Sequence, residues 1–154
     1  MGALLAALAA AVTGLSVPTP LSATGWWPLA YLGLAGLALL LWGAPGMVRR
    51  ALYGWVFGVA LFLVTIPWII DLHVAGYFGL TILESLFYLV GAMGVIARGP
   101  RWVRLVNFVG VMTVVEWARS KYPWGGFPMG GIPVGQGMGP LVALARLGGV
   151  WAVT

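Results

Sequence analysis

The chain has 154 residues, 62% of them hydrophobic and 7% charged, and its formal net charge is +5. Soluble domains carry roughly 25% charged residues, so this composition excludes a water-soluble globule. The sequence has no cysteine and a single histidine, which excludes disulfides, thiolate chemistry and a conventional zinc cluster within these residues. We therefore expect neither a cofactor nor a metal, and the composition predicts an all-α, polytopic bundle of transmembrane helices.

Apolar runs predict five membrane spans and the start of a sixth. The first run is short and could be a signal-peptide core, but it has no Lys or Arg before it and no good cleavage site after it, which favours a first span. Trp27 is an interfacial anchor before a second helix that begins at Pro28. Pro67 is expected to kink or end the third helix. The predicted spans are residues 3–15, 27–42, 51–70, 77–97, 102–118 and 141–154, with an outer loop at 119–140.

The basic residues predict the orientation of the spans. Five arginines fall in alternate loops, which the positive-inside rule assigns to the cytoplasm together with the amino terminus. They are Arg49, Arg50, Arg98, Arg101 and Arg104. Asp71, Glu84 and Glu116 then all belong to the outer half of the membrane, where Arg119 and Lys121 break the charge rule. A polar cavity that opens outward explains this distribution.

Glu116 and Arg119 are three residues apart, so they share a helix face and can form an ion pair. Such a pair tolerates a depth at which either charge alone would be unfavourable. One interpretation has Arg119 or Lys121 holding a lipid phosphate at the rim of the cavity, while Glu116 orients the base. The other interpretation is an ordinary ion pair at a helix end.

Glu84 has no basic residue within a helical turn. Its partner must come from another span, or it is protonated, or it faces water. The loop after Lys121 is rich in aromatic residues, proline and glycine, and it is either a lip around a lipid-entry gap or a plain interfacial connection. Its candidate cavity residues are Trp124, Phe127 and Pro128.

Other patterns indicate structure rather than chemistry. The glycines at 33 and 36 and at 54 and 58 are spaced for close helix packing. His73 is interpreted as a turn residue. No glycine-rich stretch has the pattern of a phosphate-binding loop.

The order of several motifs resembles the bacterial apolipoprotein N-acyltransferases. The similar segments are Glu-Trp-Ala-Arg at 116–119, Gly-Phe-Pro at 126–128, Gly-Pro-Leu at 139–141 and Gly-Gly-Val at 148–150. The family pattern there is Glu-x-x-Arg, then Gly-Phe-Pro-Trp, then Gly-Pro-Leu before an apolar helix. This chain departs from the pattern at Met129, where the family often has Trp, which puts an acyl-gripping role at that position in doubt.

The resemblance implies an eight-helix membrane domain that carries an outward-facing nitrilase-like domain. In that family an acyl chain passes from a phospholipid to a cysteine, as a thioester, and then to the N-terminal amine of a diacylglyceryl lipoprotein, with a glutamate base and a lysine nearby. None of these catalytic residues maps onto this chain. The implied assignment is the N-terminal membrane part of the enzyme, truncated before the catalytic domain, in a bacterial inner membrane. The 154-residue chain alone is expected to be inactive.

Two other classes of function stay open. The first is a transporter or channel fragment in which Glu84, Glu116 and Arg119 line a path, although all three acids fall on one side of the membrane. The second is a non-catalytic membrane module that partners a polyprenol-phosphate mannosyl transfer enzyme. The expected ligands in the favoured interpretation are a phospholipid acyl donor, a diacylglyceryl lipoprotein and membrane lipids. No nucleic acid is expected.

Overall fold

The computed structural model describes residues 1–18, 23–123 and 125–149, and the regular structure within these ranges is helical, without a strand. It contains six α-helices and three short 3-10 helices. The α-helices are α1 (Gly2–Gly14), α2 (Pro28–Gly43), α3 (Met47–Thr65), α4 (Val74–Met93), α5 (Arg101–Arg119) and α6 (Ala145–Gly148). The 3-10 helices are Pro67–Asp71, Ile132–Gln136 and Pro140–Leu144. The prediction of an all-helical fold is confirmed for the described residues.

The antiparallel pair of α3 and α4 is the centre of the bundle. Gly54 and Gly58 allow the two backbones to approach, since a Cβ on Gly58 would lie 2.8 Å from the Cα of Ser85. Helix α1 packs against both α2 and α3, and Gly33 of α2 sits against Thr13 of α1. Both glycine pairs therefore serve close packing, as their spacing predicts.

Helix α3 begins and ends at different residues from the predicted span 51–70. It begins at Met47, after Gly46 with φ of 92°, so that the two arginines lie in its first turn. It ends at Thr65 because the proline ring at Pro67 disfavours the helical region for Ile66, which has φ of −122° and ψ of 29°. A 3-10 turn continues from the proline.

Helix α4 runs from Val74 to Met93 rather than over the predicted residues 77–97. It begins with His73 as N-cap, whose Nδ1 accepts from the amide of Gly76 at 3.0 Å. The sequence interpreted this histidine as a turn residue, and the structure makes it the N-cap of α4. At the other end, Asn107 of α5 donates to the carbonyl of Gly94 and accepts from the amide of Ile96, which fixes the chain as it leaves the helix.

Helix α5 is offset along α4. Its last residue, Arg119, reaches Glu84 near the middle of α4, while Asn107 lies beside the end of α4. The last part of α5 therefore stops well short of the His73 end of α4. The segment after it, including the 3-10 helix Ile132–Gln136, folds back over the ends of α1 and α3, where Gly135 lies against Ser16 and Gly130 against Thr65.

Two helices, α3 and α4, are long and apolar enough to cross a membrane by length and composition. Helices α1 and α2 are apolar but have 13 and 16 residues, and α5 carries four charged residues. Large apolar side chains cover the outside of the bundle; Leu39 is 67% exposed and Val90 is 65% exposed. Extended apolar surface of this kind marks contact with lipid or with another protein. The last five residues of the predicted sixth span, 150–154, lie outside the described residues.

The glycines of the central helix pair provide a matched test of packing. Gly58→Ala should lower the free energy of unfolding by about 1–3 kcal/mol because its new methyl group meets the backbone of α4. Gly79→Ala is the control, since that position lies in α4 with open space around it and alanine favours a helix over glycine by ~1 kcal/mol. Thermal unfolding in detergent, followed by circular dichroism, measures both. Equal midpoints for the two variants would contradict the close α3–α4 contact.

Candidate functional site

The Arg119 network, formed by Glu84, Tyr88, Glu116 and Arg119, joins α4 to α5. The Arg119 Nε donates to Glu84 Oε2 at 2.8 Å, and its Nη1 donates to Glu116 Oε2, also at 2.8 Å. The Tyr88 hydroxyl donates to the second oxygen of Glu116. The contacts of Arg119 with Glu84 and with Glu116 are the two ion pairs among the described residues. The pairing that the spacing of 116 and 119 predicts is present, and Glu84 finds its partner on another helix.

The network is removed from solvent. Glu84 and Arg119 are 0% exposed and Glu116 is 3% exposed. The guanidinium also lies over the ring of Phe62 of α3, 4.5 Å from its centroid, in cation–π geometry. Removing one member of a buried ion pair leaves an uncompensated charge, which typically costs about 3–5 kcal/mol. The network therefore fixes the position of α5 relative to α4.

Arg119 also holds the loop that follows α5. Its Nη2 donates to the carbonyl oxygens of Phe127 at 3.2 Å and Met129 at 3.1 Å, and its own carbonyl accepts from the amide of Phe127 at 2.8 Å. Gly131 lies directly against the carboxylate of Glu116 and the guanidinium, where no Cβ would fit. Gly126 turns the chain with φ of 82°, which favours glycine.

Three buried oxygens beside the network have no hydrogen-bond partner among the described residues. They are Glu84 Oε1, Thr81 Oγ1 and Thr65 Oγ1. Thr81 lies one turn before Glu84 on α4, and Thr65 lies against Gly130, next to the glycine that touches the network. Buried polar atoms normally find a partner, so these three oxygens are exceptions within the described part of the chain.

The structure brings together only some of the residues predicted for the site. Glu84, Glu116 and Arg119 converge, and Phe127 is half-buried and joins them through its carbonyl. Lys121 and Pro128 are exposed on the loop. Trp124 lies outside the described residues.

Arg119 does not occupy the rim position that one interpretation of the sequence gave it. It is fully buried, with three of its nitrogens engaged, so in this arrangement its guanidinium does not face a lipid phosphate. The role of Tyr88 was missed, because a tyrosine within an apolar helix has no sequence signal for such a bond. The role of Gly131 was missed as well, since it lies in a glycine-rich loop without periodicity.

A match to a family model decides the family. The model that describes the N-terminal domain of apolipoprotein N-acyltransferase matches residues 4–154 of the chain. The chain belongs to the apolipoprotein N-acyltransferase family. The resemblance drawn from the Glu-x-x-Arg and Gly-Phe-Pro segments is thereby confirmed.

Two relatives are themselves named apolipoprotein N-acyltransferase. One, from Ralstonia nicotianae, is 32% identical over 166 residues, and the other, from Azotobacter vinelandii, is 32% identical over 171 residues. Each alignment covers 96% of this chain and 31% of the relative. The chain thus spans about a third of the length of these apolipoprotein N-acyltransferases, and it corresponds to the N-terminal domain of the family.

The two carboxylates of the network should respond differently to neutralisation. Glu116→Gln removes the charge from the acceptor of two hydrogen bonds, from Arg119 and from the Tyr88 hydroxyl, and should lower the free energy of unfolding by about 3 kcal/mol. Glu84→Gln keeps an oxygen for Arg119 and points its NH₂ to the side without a partner, so it should cost less than about 1.5 kcal/mol. Thermal unfolding of both variants measures the difference. A greater loss for Glu84→Gln would show that this pairing is misassigned.

Proposed function

We propose that this chain is the membrane-embedded part of an apolipoprotein N-acyltransferase, which transfers an acyl chain from a phospholipid to the N-terminal amine of diacylglyceryl lipoproteins. The observation that carries the proposal is the family match over residues 4–154. The names of the two relatives support the same enzyme class. The chain contains no cysteine, so the cysteine thioester forms in another part of the complete polypeptide, the nitrilase-like domain.

In this proposal the chain crosses a bacterial inner membrane five times and begins a sixth crossing, with its amino terminus in the cytoplasm. The apolar character of α3 and α4 supports two of these crossings directly. The exposed apolar side chains on the other helices support the rest. The five arginines at the starts of α3 and α5 then face the cytoplasm, and the loop after Arg119 faces outward.

We assign Arg119 the role of positioning the outer loop rather than contacting lipid. Its bonds to the carbonyls of Phe127 and Met129 hold the loop against the ends of α3 and α5. The loop then forms a fixed wall of an outward cavity, beside which the catalytic domain receives its substrates. Exposed Lys121, two residues after Arg119, is the candidate contact for the phospholipid phosphate.

The competing functions have less support. A transport path needs polar groups through both halves of the membrane, whereas Glu84, Glu116 and Arg119 form one closed and buried cluster. The relatives named above are acyltransferases and give no support to a partnership with a mannosyl transfer enzyme.

Acyl transfer in proteoliposomes tests the proposal. The complete polypeptide, purified from its full reading frame, should move a labelled acyl chain from a phospholipid to a synthetic diacylglyceryl peptide with a free N-terminal amine. The 154-residue chain alone should form no product, because it lacks the cysteine nucleophile. The matched control is the same peptide with an acetylated amine. A complete polypeptide that leaves the free amine unmodified would overturn the proposal.

Substitutions of Arg119, at the end of α5, and of Lys121, just after it, should affect different quantities. In the complete enzyme Lys121→Gln should raise the KM for phospholipid roughly fivefold, the effect of losing one basic contact near a headgroup, without altering thermal unfolding. Arg119→Gln should instead lower the free energy of unfolding by about 3–5 kcal/mol, because two carboxylates lose their partner. If the Arg119→Gln enzyme had normal stability and a raised KM for phospholipid, the result would support direct contact between Arg119 and the lipid.

A further inference from the structure

The end of the bundle opposite the Arg119 network is purely basic among the described residues. Arg49 and Arg50 lie in the first turn of α3, Arg98 follows α4, and Arg101 and Arg104 lie in the first turn of α5. All three acids of the chain are elsewhere, near the middle of α4, at the end of α5 and at Asp71. Within the described ranges this basic end therefore has no acidic side chain as a counter-ion.

Two adjoining cavities open between these helices and share Trp42 and Gly43 at the end of α2. One, of about 740 Å³, is lined by Arg50 and Arg98 together with the segment that leaves α4. The other, of about 540 Å³, is lined by Arg101 and Arg104 with apolar Leu39 and Leu105. The first turn of α3 adds amides that no side chain caps.

Buried donors without partners lie around the shared wall. The Nε atoms of Arg50 and Arg104 and the indole Nε1 of Trp42 are buried and find no acceptor among the described residues. The Arg104 guanidinium lies over the Trp42 ring, 4.9 Å from its centroid, which fixes its orientation. Arginines that only set membrane topology need no such arrangement, since the positive-inside rule counts charge and not geometry.

We propose that the basic end binds the headgroup of an anionic phospholipid, whose phosphodiester oxygens accept hydrogen bonds from the guanidinium groups of Arg50 and Arg104. Guanidinium groups bind phosphate through two parallel hydrogen bonds. The apolar rims at Leu39 and Leu105 suit acyl chains, which favours a lipid over a soluble phosphate. Basic pockets between membrane helices recognise anionic headgroups in this way.

This inference does not depend on the acyl-transfer chemistry. The Arg119 network and the loop it holds are at the other end of the helices, so the lipid at the basic end serves as a structural ligand and not as an acyl donor. Its failure would leave the proposed acyltransferase function untouched, and the reverse also holds.

Native mass spectrometry of the purified chain tests the proposal. The chain is released from nanodiscs that contain equal amounts of phosphatidylglycerol and phosphatidylcholine, and the bound lipids are counted. Phosphatidylglycerol should be retained preferentially. Arg50→Gln and Arg104→Gln should each weaken that retention about fivefold, the effect expected for one basic contact. Arg50→Lys keeps the charge but loses the paired N–H donors of the guanidinium, so it should give an intermediate retention of phosphatidylglycerol.

Arg49→Gln is the matched control. It removes the same charge from the neighbouring position, but Arg49 is exposed and lines neither cavity. Equal losses for Arg49→Gln and Arg50→Gln would overturn the site in favour of unspecific charge attraction. Displacement of the lipid by millimolar inorganic phosphate, or equal retention of both lipids, would overturn it too. Circular dichroism establishes the fold of each variant, and if Arg50→Gln does not fold, Arg104→Gln decides.

Discussion

The guanidinium of Arg119 is the group that fixes how the end of α5 and the following loop pack against α4. One planar cation binds a carboxylate on α4, a carboxylate on its own helix and two carbonyls of the following loop. A buried arginine cannot escape its charge by losing a proton, so each of these acceptors must stay in place. The same residue consequently fixes both the position of α5 against α4 and the path of the loop.

The offset of α5 gives this interaction its geometry. Because the helix ends opposite the middle of α4, its last residue lies buried inside the bundle, and the chain must return over the ends of α1 and α3. Irregular backbone that is buried needs hydrogen-bond partners from protein or water. The guanidinium of Arg119 and the 3-10 helix Ile132–Gln136 provide some of these hydrogen bonds.

Features that depend on local spacing or on backbone restriction could be predicted from sequence. They are the helical class, the glycine contacts, the end of α3 near Pro67 and the pairing of Glu116 with Arg119. The link between Glu84 and Arg119 could not, since it joins positions 35 residues apart on different helices. The bond from Tyr88 and the contact at Gly131 were equally invisible, as they follow from the offset of α5 and not from periodicity. From composition, the isolated charges in an apolar chain could be predicted as members of a candidate site.

Arg119 grips the loop through main-chain oxygens and not through side chains. The identity of residue 129 is therefore free to vary as long as its carbonyl keeps the same direction. The ring of Phe127 also packs against the core, and position 131 admits nothing larger than a hydrogen atom. Met129 is exposed, so another side chain can replace it without loss of this framework. The loop combines a backbone held in place by Arg119 with a side chain at position 129 that can change while the fold stays constant.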